Sequence, residues 1–448
     1  MLYRKLTQYI KQYYDSGNRA LLLTGARQTG KTFAAREYGK RYKHFVEINF
    51  IESPEALNLF KGITNADEIL LRLSALVSDR LEEGETLIFF DEVQCCDNLI
   101  TAIKFLVDDG RYRYILSGSL LGVELKDIRS VPVGYMGIKE VFPLTIEEFF
   151  INIGVNEKIL ARLHDNYENR EEVDSIINDR LLQLFRLYTV VGGMPAAVSS
   201  YLATKNLQTV ITVQKDIISL YRKDISQYAD KNKLKIKEIF DLVPSELNEK
   251  NKRFILKNLN QHAKFERYKD DFLWLKDAGV VIPVYNVEEP KEPLLLSVTR
   301  NLFKLFSNDV GLLTAQYADG IQARILANDK SINYGSVYEN VVAQELLAHD
   351  LTPLYYNNKK RGEVDFVVSV GGKVVPVEVK SGKDYIRHNA LSNILNTPEF
   401  EIEEGIVLGN CNVSRENKVI YMPIYMAMFI EPATITDPIY EVDMTGLL

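Results

Sequence analysis

Apolar residues in this chain gather into short continuous runs separated by longer stretches of mixed, helix-forming character. Ala20–Thr24, Lys43–Phe50, Thr86–Phe90 and Tyr112–Leu116 are runs of strand length, each bounded by turn residues or by a helical pattern. Unbroken apolar runs of this kind predict strands covered on both faces. Their alternation with helical stretches predicts a parallel sheet flanked by helices. Met1–Ile10 mixes charged with apolar residues and predicts an amphipathic helix lying on this first unit. Phe33–Tyr38 is helix-forming, and Ser53-Pro54 opens a helical stretch to about Leu81, with proline suited to the first turn.

Beyond this sheet, residues 147–228 are mostly helix-forming, with one break at Gly192-Gly193-Met194-Pro195. Glycine ends a helix and proline restarts one, so the segment predicts a helical lid beside the first unit. Three short helical patterns follow, at 234–242, 251–259 and 268–277. Val280–Tyr285 reads as a strand, and Pro293–Ser297 as a second strand after a Glu- and Pro-rich turn. Three helices and a two-stranded ribbon make a winged-helix-like module, a variant of the helix-turn-helix. Residues 231–269 hold eleven Lys or Arg against five Asp or Glu, so the module either faces nucleic-acid phosphates or presents a solvated basic face to a packing partner. The last part returns to α/β character. A helix over 336–347 precedes two strands, 362–368 and 374–380, joined at Gly371-Gly372, and the tail adds strands at 404–408, 418–421 and 423–429.

The chemistry lies at two places in this pattern. Gly25-Ala26-Arg27-Gln28-Thr29-Gly30-Lys31-Thr32 stands between a strand and a helix and has the spacing of a phosphate-binding loop. Gly25 and Gly30 permit torsions and close approaches that a Cβ blocks. The loop N–H groups and the helix N-terminus then surround phosphates. Lys31 reaches the β- and γ-phosphates, and the Thr32 hydroxyl ligates Mg²⁺. Asp91-Glu92 ends the buried strand Thr86–Phe90. Asp91 completes the Mg²⁺ site, and Glu92 is the base for the water that attacks the γ-phosphate. Ser117 and Ser119, one strand further on, either sense the terminal phosphate or form a plain Ser-Gly turn. Arg222, in the last helix of the lid, is a γ-phosphate contact or a solvated charge.

At the second place, Asp365 lies on one strand of the C-terminal hairpin, and Glu378 and Lys380 lie on the other. Two residues apart, Glu378 and Lys380 share a face. Two carboxylates and a lysine suit metal-dependent phosphodiester cleavage, with the acids holding Mg²⁺ and Lys380 activating water. The competing reading is a salt-bridged rim, or a retained fold that binds without cutting.

Leu87–Gln94 (LIFFDEVQ), Tyr114–Leu121 (YILSGSLL) and Val141–Phe150 (VFPLTIEEFF), together with Gly25–Thr32, resemble the prokaryotic AAA-type ATPases that carry an uncharacterised C-terminal domain with a restriction-endonuclease-like core. The resemblance spans nearly the whole chain. It implies an AAA+ module, expected at 1–150, and a restriction-endonuclease-like α/β domain, expected at 301–448; the residue pattern puts the helical lid at 151–230 and the winged-helix-like module at 231–300 between them. The Asp365…Glu378-x-Lys380 spacing resembles the D…(D/E)-x-K nuclease superfamily, which also places an acid on the preceding helix, best matched by Glu339. Relatives often have a basic residue where Tyr135 follows Val133-Gly134, and Arg129 is the nearest substitute for an arginine acting on the transition state.

Composition narrows the classes further. The chain has 448 residues, too many for one core, with 46% hydrophobic and 26% charged residues. No apolar run is of membrane-spanning length, the start lacks a signal-peptide core, and three cysteines suggest no disulfide framework, so a cytoplasmic protein is expected. A net charge of −7 argues against a uniformly basic nucleic-acid binder. The expected ligands are ATP and Mg²⁺. DNA is the leading further partner, and a protein partner or self-association the alternative.

Overall fold

Leu21, Leu22 and Leu23 are wholly shielded from solvent because helices cover both faces of the strand they form. In this computed structural model that strand, β1 (Ala20–Thr24), is followed by β2 (His44–Asn49), β3 (Thr86–Asp91), β4 (Arg113–Ser117) and β5 (Met136–Glu140). The structure describes residues 2–62, 65–77, 80–119, 134–228, 232–249, 252–259, 261, 264–329, 331–382 and 384–433. All pairings in this five-stranded sheet are parallel, in the order β2-β3-β4-β1-β5. Side chains alternate between faces. Leu21, Leu23, Phe89 and Ile115 meet the helices Lys5–Asp15 and Lys31–Gly39. Leu22, Ile88, Phe90 and Leu116 meet Ala66–Leu76 and Asp97–Asp109. Sequence reading misses β5 because its run, Met-Gly-Ile-Lys-Glu, exposes alternate residues at the sheet edge.

Gly192 and Gly193 sit where the helix Ser175–Val191 stops and Pro195–Thr204 begins, as the sequence predicts. A Cβ on Gly193 would lie 2.1 Å from the Leu144 carbonyl oxygen, so only glycine lets the two backbones meet. The Gly193 N–H donates to Asp309 Oδ2 at 2.6 Å, tying this break to the C-terminal half. Leu207–Tyr228 completes the helical layer.

The second sheet is mixed and has eight strands: β6 (Val281–Val287), β7 (Val298–Ser307), β8 (Leu354–Asn358), β9 (Gly362–Val370), β10 (Lys373–Lys380), β11 (Gly405–Gly409), β12 (Ser414–Glu416) and β13 (Val419–Pro423), in the order β12-β13-β11-β10-β9-β8-β6-β7. Its core is continuous with the helical layer, running from Leu144 through Phe185 and Val341 to Ile430.

Several expectations are corrected here. Pro293–Ser297 is not a strand: a 3₁₀ turn covers Leu294–Ser297, and the partner of β6 is β7, which starts at Val298. The β6–β7 ribbon does not stand alone as a wing but closes the edge of the large sheet, because β6 also pairs in parallel with β8. Of the three short helices, Lys233–Asn248 and Lys269–Asp277 form, but the described residues between them hold two 3₁₀ turns, Leu256–Asn258 and Phe265–Arg267, and no α-helix. Ile424–Phe429 is a buried 3₁₀ turn rather than a strand. The stretch from Ser53 divides into a 3₁₀ turn, Pro54–Phe60, and the helix Ala66–Leu76, which is capped by Asn65. Among the described residues no single helix is long and apolar enough to cross a membrane.

Candidate functional site

The loop Gly25–Thr32 leaves the C-terminal end of β1 and enters the helix Lys31–Gly39. Gly25 (φ 115°) and Gly30 (φ 96°) both lie in the left-handed region. A Cβ on Gly25 would lie 2.4 Å from the Val141 carbonyl oxygen. The Lys31 ammonium, nearly buried, donates to the carbonyl oxygens of Gly25 at 2.9 Å and Ala26 at 2.7 Å. Burial lowers it to about 8, against the pull of Glu92 and Asp91.

Thr32 and Asp91 come together as their predicted roles require. Thr32 Oγ1 donates to Asp91 Oδ2 at 2.9 Å, and the Ser117 hydroxyl donates to Asp91 Oδ1. Burial raises the Asp91 carboxyl above its ordinary range, while the two hydroxyls pull it down. A hydroxyl and a carboxylate in contact are hard oxygen donors that fit Mg²⁺. Glu92 takes a left-handed backbone (φ 56°), and its Oε2 accepts from Gln94 Nε2 at 2.6 Å and Ser119 Oγ at 3.3 Å. The two serines therefore differ: Ser117 is buried against Asp91, whereas Ser119 lines the cleft beside Glu92.

These groups open onto a cleft of about 1000 Å³, walled on its far side by Leu2 and by Pro195, Ser199, Leu202 and Leu220 of the helical layer. Gln28, Gly30, Lys31, Thr32, Asp91 and Glu92 line its near side. Its size suits a nucleotide. Arg27, also on the wall, donates to Asp224 Oδ1 at 2.7 Å and to Ser119 Oγ at 3.2 Å. Arg222 turns away and pairs with Asp241 at 2.8 Å, so it is the solvated charge of the two readings. Arg129 lies outside the described residues.

The hairpin residues also assemble, but in company the sequence did not suggest. Asp365 on β9 accepts from the Val379 N–H at 2.9 Å. Glu378 Oε1 accepts from Lys380 Nζ at 2.7 Å, and its Oε2 is buried without a partner. Glu339, buried on the helix Gly335–Ala348, joins the cluster. At its centre stands Lys304 of β7, with no solvent exposure. Its Nζ lies 2.9 Å from Glu363 Oε1, 3.4 Å from Glu339 Oε2 and 3.6 Å from Asp365 Oδ1, and 5.3 Å from the Tyr355 ring centroid. Lys252 pairs with the other oxygen of Glu339. Burial alone would lower the Lys304 ammonium, but Glu339, Asp365 and Glu363 outweigh it and hold it above the usual lysine range. Burial pushes Glu378 up to about 8, with Asp365 adding to it. Among the described residues no group of three or more His, Cys, Asp or Glu is arranged to hold a metal ion.

Residues 17–150 match a family profile described as AAA domain. The N-terminal unit is similar to AAA domains. Residues 182–323 and 334–426 match two profiles described only as domains of unknown function, DUF8612 and DUF4143. No curated protein matches the sequence. Solved structures with some likeness include the Walker-type ATPase of Pyrococcus abyssi, at 15% identity, TM-score 0.41, covering 70% of this chain and 95% of that one. The Aeropyrum pernix ORC1 protein, solved in complex with DNA, has 14% identity, TM-score 0.28 and coverages of 72% and 94%. AMPPCP-bound DnaA from Aquifex aeolicus has 13% identity, TM-score 0.29 and coverages of 60% and 86%. At these scores the likenesses carry no argument.

Sequence reading missed several residues around the AAA domain. Arg4 is buried and donates to the Thr29 and Phe142 carbonyl oxygens, both at 2.8 Å, bracing the phosphate loop from the N-terminal helix. Nothing in an amphipathic pattern marks one arginine for this. Tyr221 and Asp224 face the loop, although the sequence draws the eye to Arg222 between them. Lys304 did leave a signal: a lone cation inside the apolar strand Phe303–Phe306 must find buried acids.

Proposed function

We propose that the AAA domain binds ATP with Mg²⁺ in this cleft and hydrolyses it. The contact of Thr32 with Asp91, beside Lys31 and Glu92, is the observation that carries the reading. The loop N–H groups and Lys31 hold the phosphates; Thr32 and Asp91 would hold Mg²⁺, which would supply positive charge against the phosphates. Glu92 takes the proton of a water as its oxygen bonds to the γ-phosphorus and the bond to the β-bridging oxygen breaks. Ser119 and Gln94 orient Glu92, and Ser117 orients Asp91. Lys31→Ala should abolish ATP binding, whereas Glu92→Gln should bind ATP without turning it over.

The C-terminal half we read as the output of this ATPase: a unit that responds to nucleotide and binds a partner without cleaving it. Support comes from those contacts between the two halves that run through the phosphate loop itself. Gly279 packs against Ala26, where a Cβ would lie 2.9 Å from its amide nitrogen. The Tyr221 hydroxyl donates to the Arg27 carbonyl oxygen at 3.1 Å and accepts from Asn308 Nδ2 at 3.3 Å.

A second reading, action on DNA in the cytoplasm through a restriction-endonuclease-like domain, is favoured by the exposed Lys233, Lys235 and Lys237 of the segment first read as winged-helix-like. In that reading Asp365, Glu378 and Glu339 hold Mg²⁺ and Lys380 activates water. Incubation with labelled DNA and Mg²⁺ separates the two: cleavage abolished by Glu378→Ala supports the second reading and defeats the first.

A further inference from the structure

We infer that Lys304 takes the place of a divalent metal in the C-terminal cluster, making it a closed ion-pair network rather than a metal centre. The nuclease-like spacing names Asp365, Glu378 and Glu339 as ligands, which offer six carboxylate oxygens. Five of them already have partners. Lys252 and Lys304 take the two oxygens of Glu339. Lys304 and the Val379 N–H take those of Asp365. Lys380 takes Oε1 of Glu378, leaving only Oε2 unpartnered.

Position and charge agree. Lys304 Nζ is the point where Glu339, Glu363 and Asp365 converge, from a helix and from β9. A divalent cation needs several oxygens at about 2.0–2.6 Å around one centre, and an ammonium already standing there excludes it. The cluster pairs four carboxylates, Glu339, Glu363, Asp365 and Glu378, with three ammonium groups, Lys252, Lys304 and Lys380. A dication would reverse that near balance unless a lysine left, and Lys304 has no exposed surface toward which to leave. Its Nζ also stands over the Tyr355 ring, 5.3 Å from the centroid.

The network has a mechanical consequence. It fastens β7, an edge strand, to β9 and to the helix Gly335–Ala348, and β7 leads directly into Asn308, the partner of Tyr221. The residues of the nuclease-like spacing thereby fix the strand that reaches back toward the phosphate loop.

The test is Mn²⁺ titration of the full chain without nucleotide, followed by loss of the free-ion EPR signal, so that failure of the ATPase reading cannot affect it. Wild type and Asp365→Asn should take up Mn²⁺ indistinguishably. Lys304→Met should gain a site at least about tenfold tighter, which Asp365→Asn in the same chain removes. A wild-type site lost in Asp365→Asn overturns the inference, and so does a folded Lys304→Met that gains nothing. Circular dichroism and a cooperative thermal melt of the same variant report its folding. If Lys304→Met does not fold, the wild-type and Asp365→Asn comparison decides alone.

Discussion

Tyr221, on the helix Leu207–Tyr228, donates its hydroxyl proton to the backbone carbonyl of Arg27 inside the phosphate loop at 3.1 Å. The same hydroxyl accepts from Asn308, just past β7. The phosphate loop is thus tied, through Tyr221, to the residue that follows strand β7 of the second sheet. Removing the hydroxyl in Tyr221→Phe should cost about 1 kcal/mol of stability and weaken ATP binding several-fold, with the fold intact. Calorimetric titration with a non-hydrolysable ATP analogue reads the affinity. An affinity equal to wild type would mean that this contact does not transmit.

Gly279 approaches the loop from the other side. It has φ 71°, and a Cβ would stand 2.9 Å from the Ala26 nitrogen. Both features penalise any side chain, so Gly279→Ala should destabilise the protein by about 1–3 kcal/mol and displace the loop. Thermal unfolding measures the first effect and ATP affinity the second. Lowered stability with unchanged affinity would confine Gly279 to packing.

Glu345 offers a pH dependence. It is fully buried, accepts from the Ile146 N–H at 2.9 Å, and is pushed by burial up to about 8 from 4.5. Lys5, Glu147, Glu148 and His349 are the charged or titratable groups around it. In the folded chain Glu345 keeps a proton that the unfolded chain has lost, so its contribution is full below about 4.5 and is lost as pH rises toward 8. Glu345→Gln, uncharged at every pH, should gain about 1–3 kcal/mol over wild type at pH 8 and little at pH 5. Melting temperatures at the two pH values check this, and an equal difference at both would contradict it.

The nucleotide half was legible because its chemistry is local in sequence. A strand, a glycine-framed loop and a helix stand together, and Thr32 met Asp91 because the helix that follows β1 starts beside the C-terminal end of β3 in one parallel sheet. The C-terminal half was legible only in part. The hairpin carrying Asp365, Glu378 and Lys380 is a local signal, and Glu363, two residues before Asp365 on β9, shares its face by the same spacing, but Lys304 and Lys252 reach it through pairings and packing that no spacing encodes. The winged-helix pattern failed for the same reason: β6 and β7 look like a free ribbon until β8, far along the chain, pairs with β6.

DNA binding is tested by ionic strength. If the exposed lysines of Lys233–Asn248 contact phosphates, affinity for a DNA duplex should fall by orders of magnitude between about 50 and 200 mM salt. Fluorescence anisotropy measures it. No binding at low salt, or a flat response, would leave this face as a solvated or protein-binding surface.

ATP hydrolysis by the AAA domain is the central claim, and steady-state phosphate release by Glu92→Gln beside wild type and Lys31→Ala tests it most directly. Wild type with Mg²⁺ should release phosphate. Glu92→Gln should fall by about 10²-fold or more while still binding ATP, and Lys31→Ala should neither bind nor hydrolyse. Turnover by Glu92→Gln at the wild-type rate, or by Lys31→Ala at all, would contradict the account.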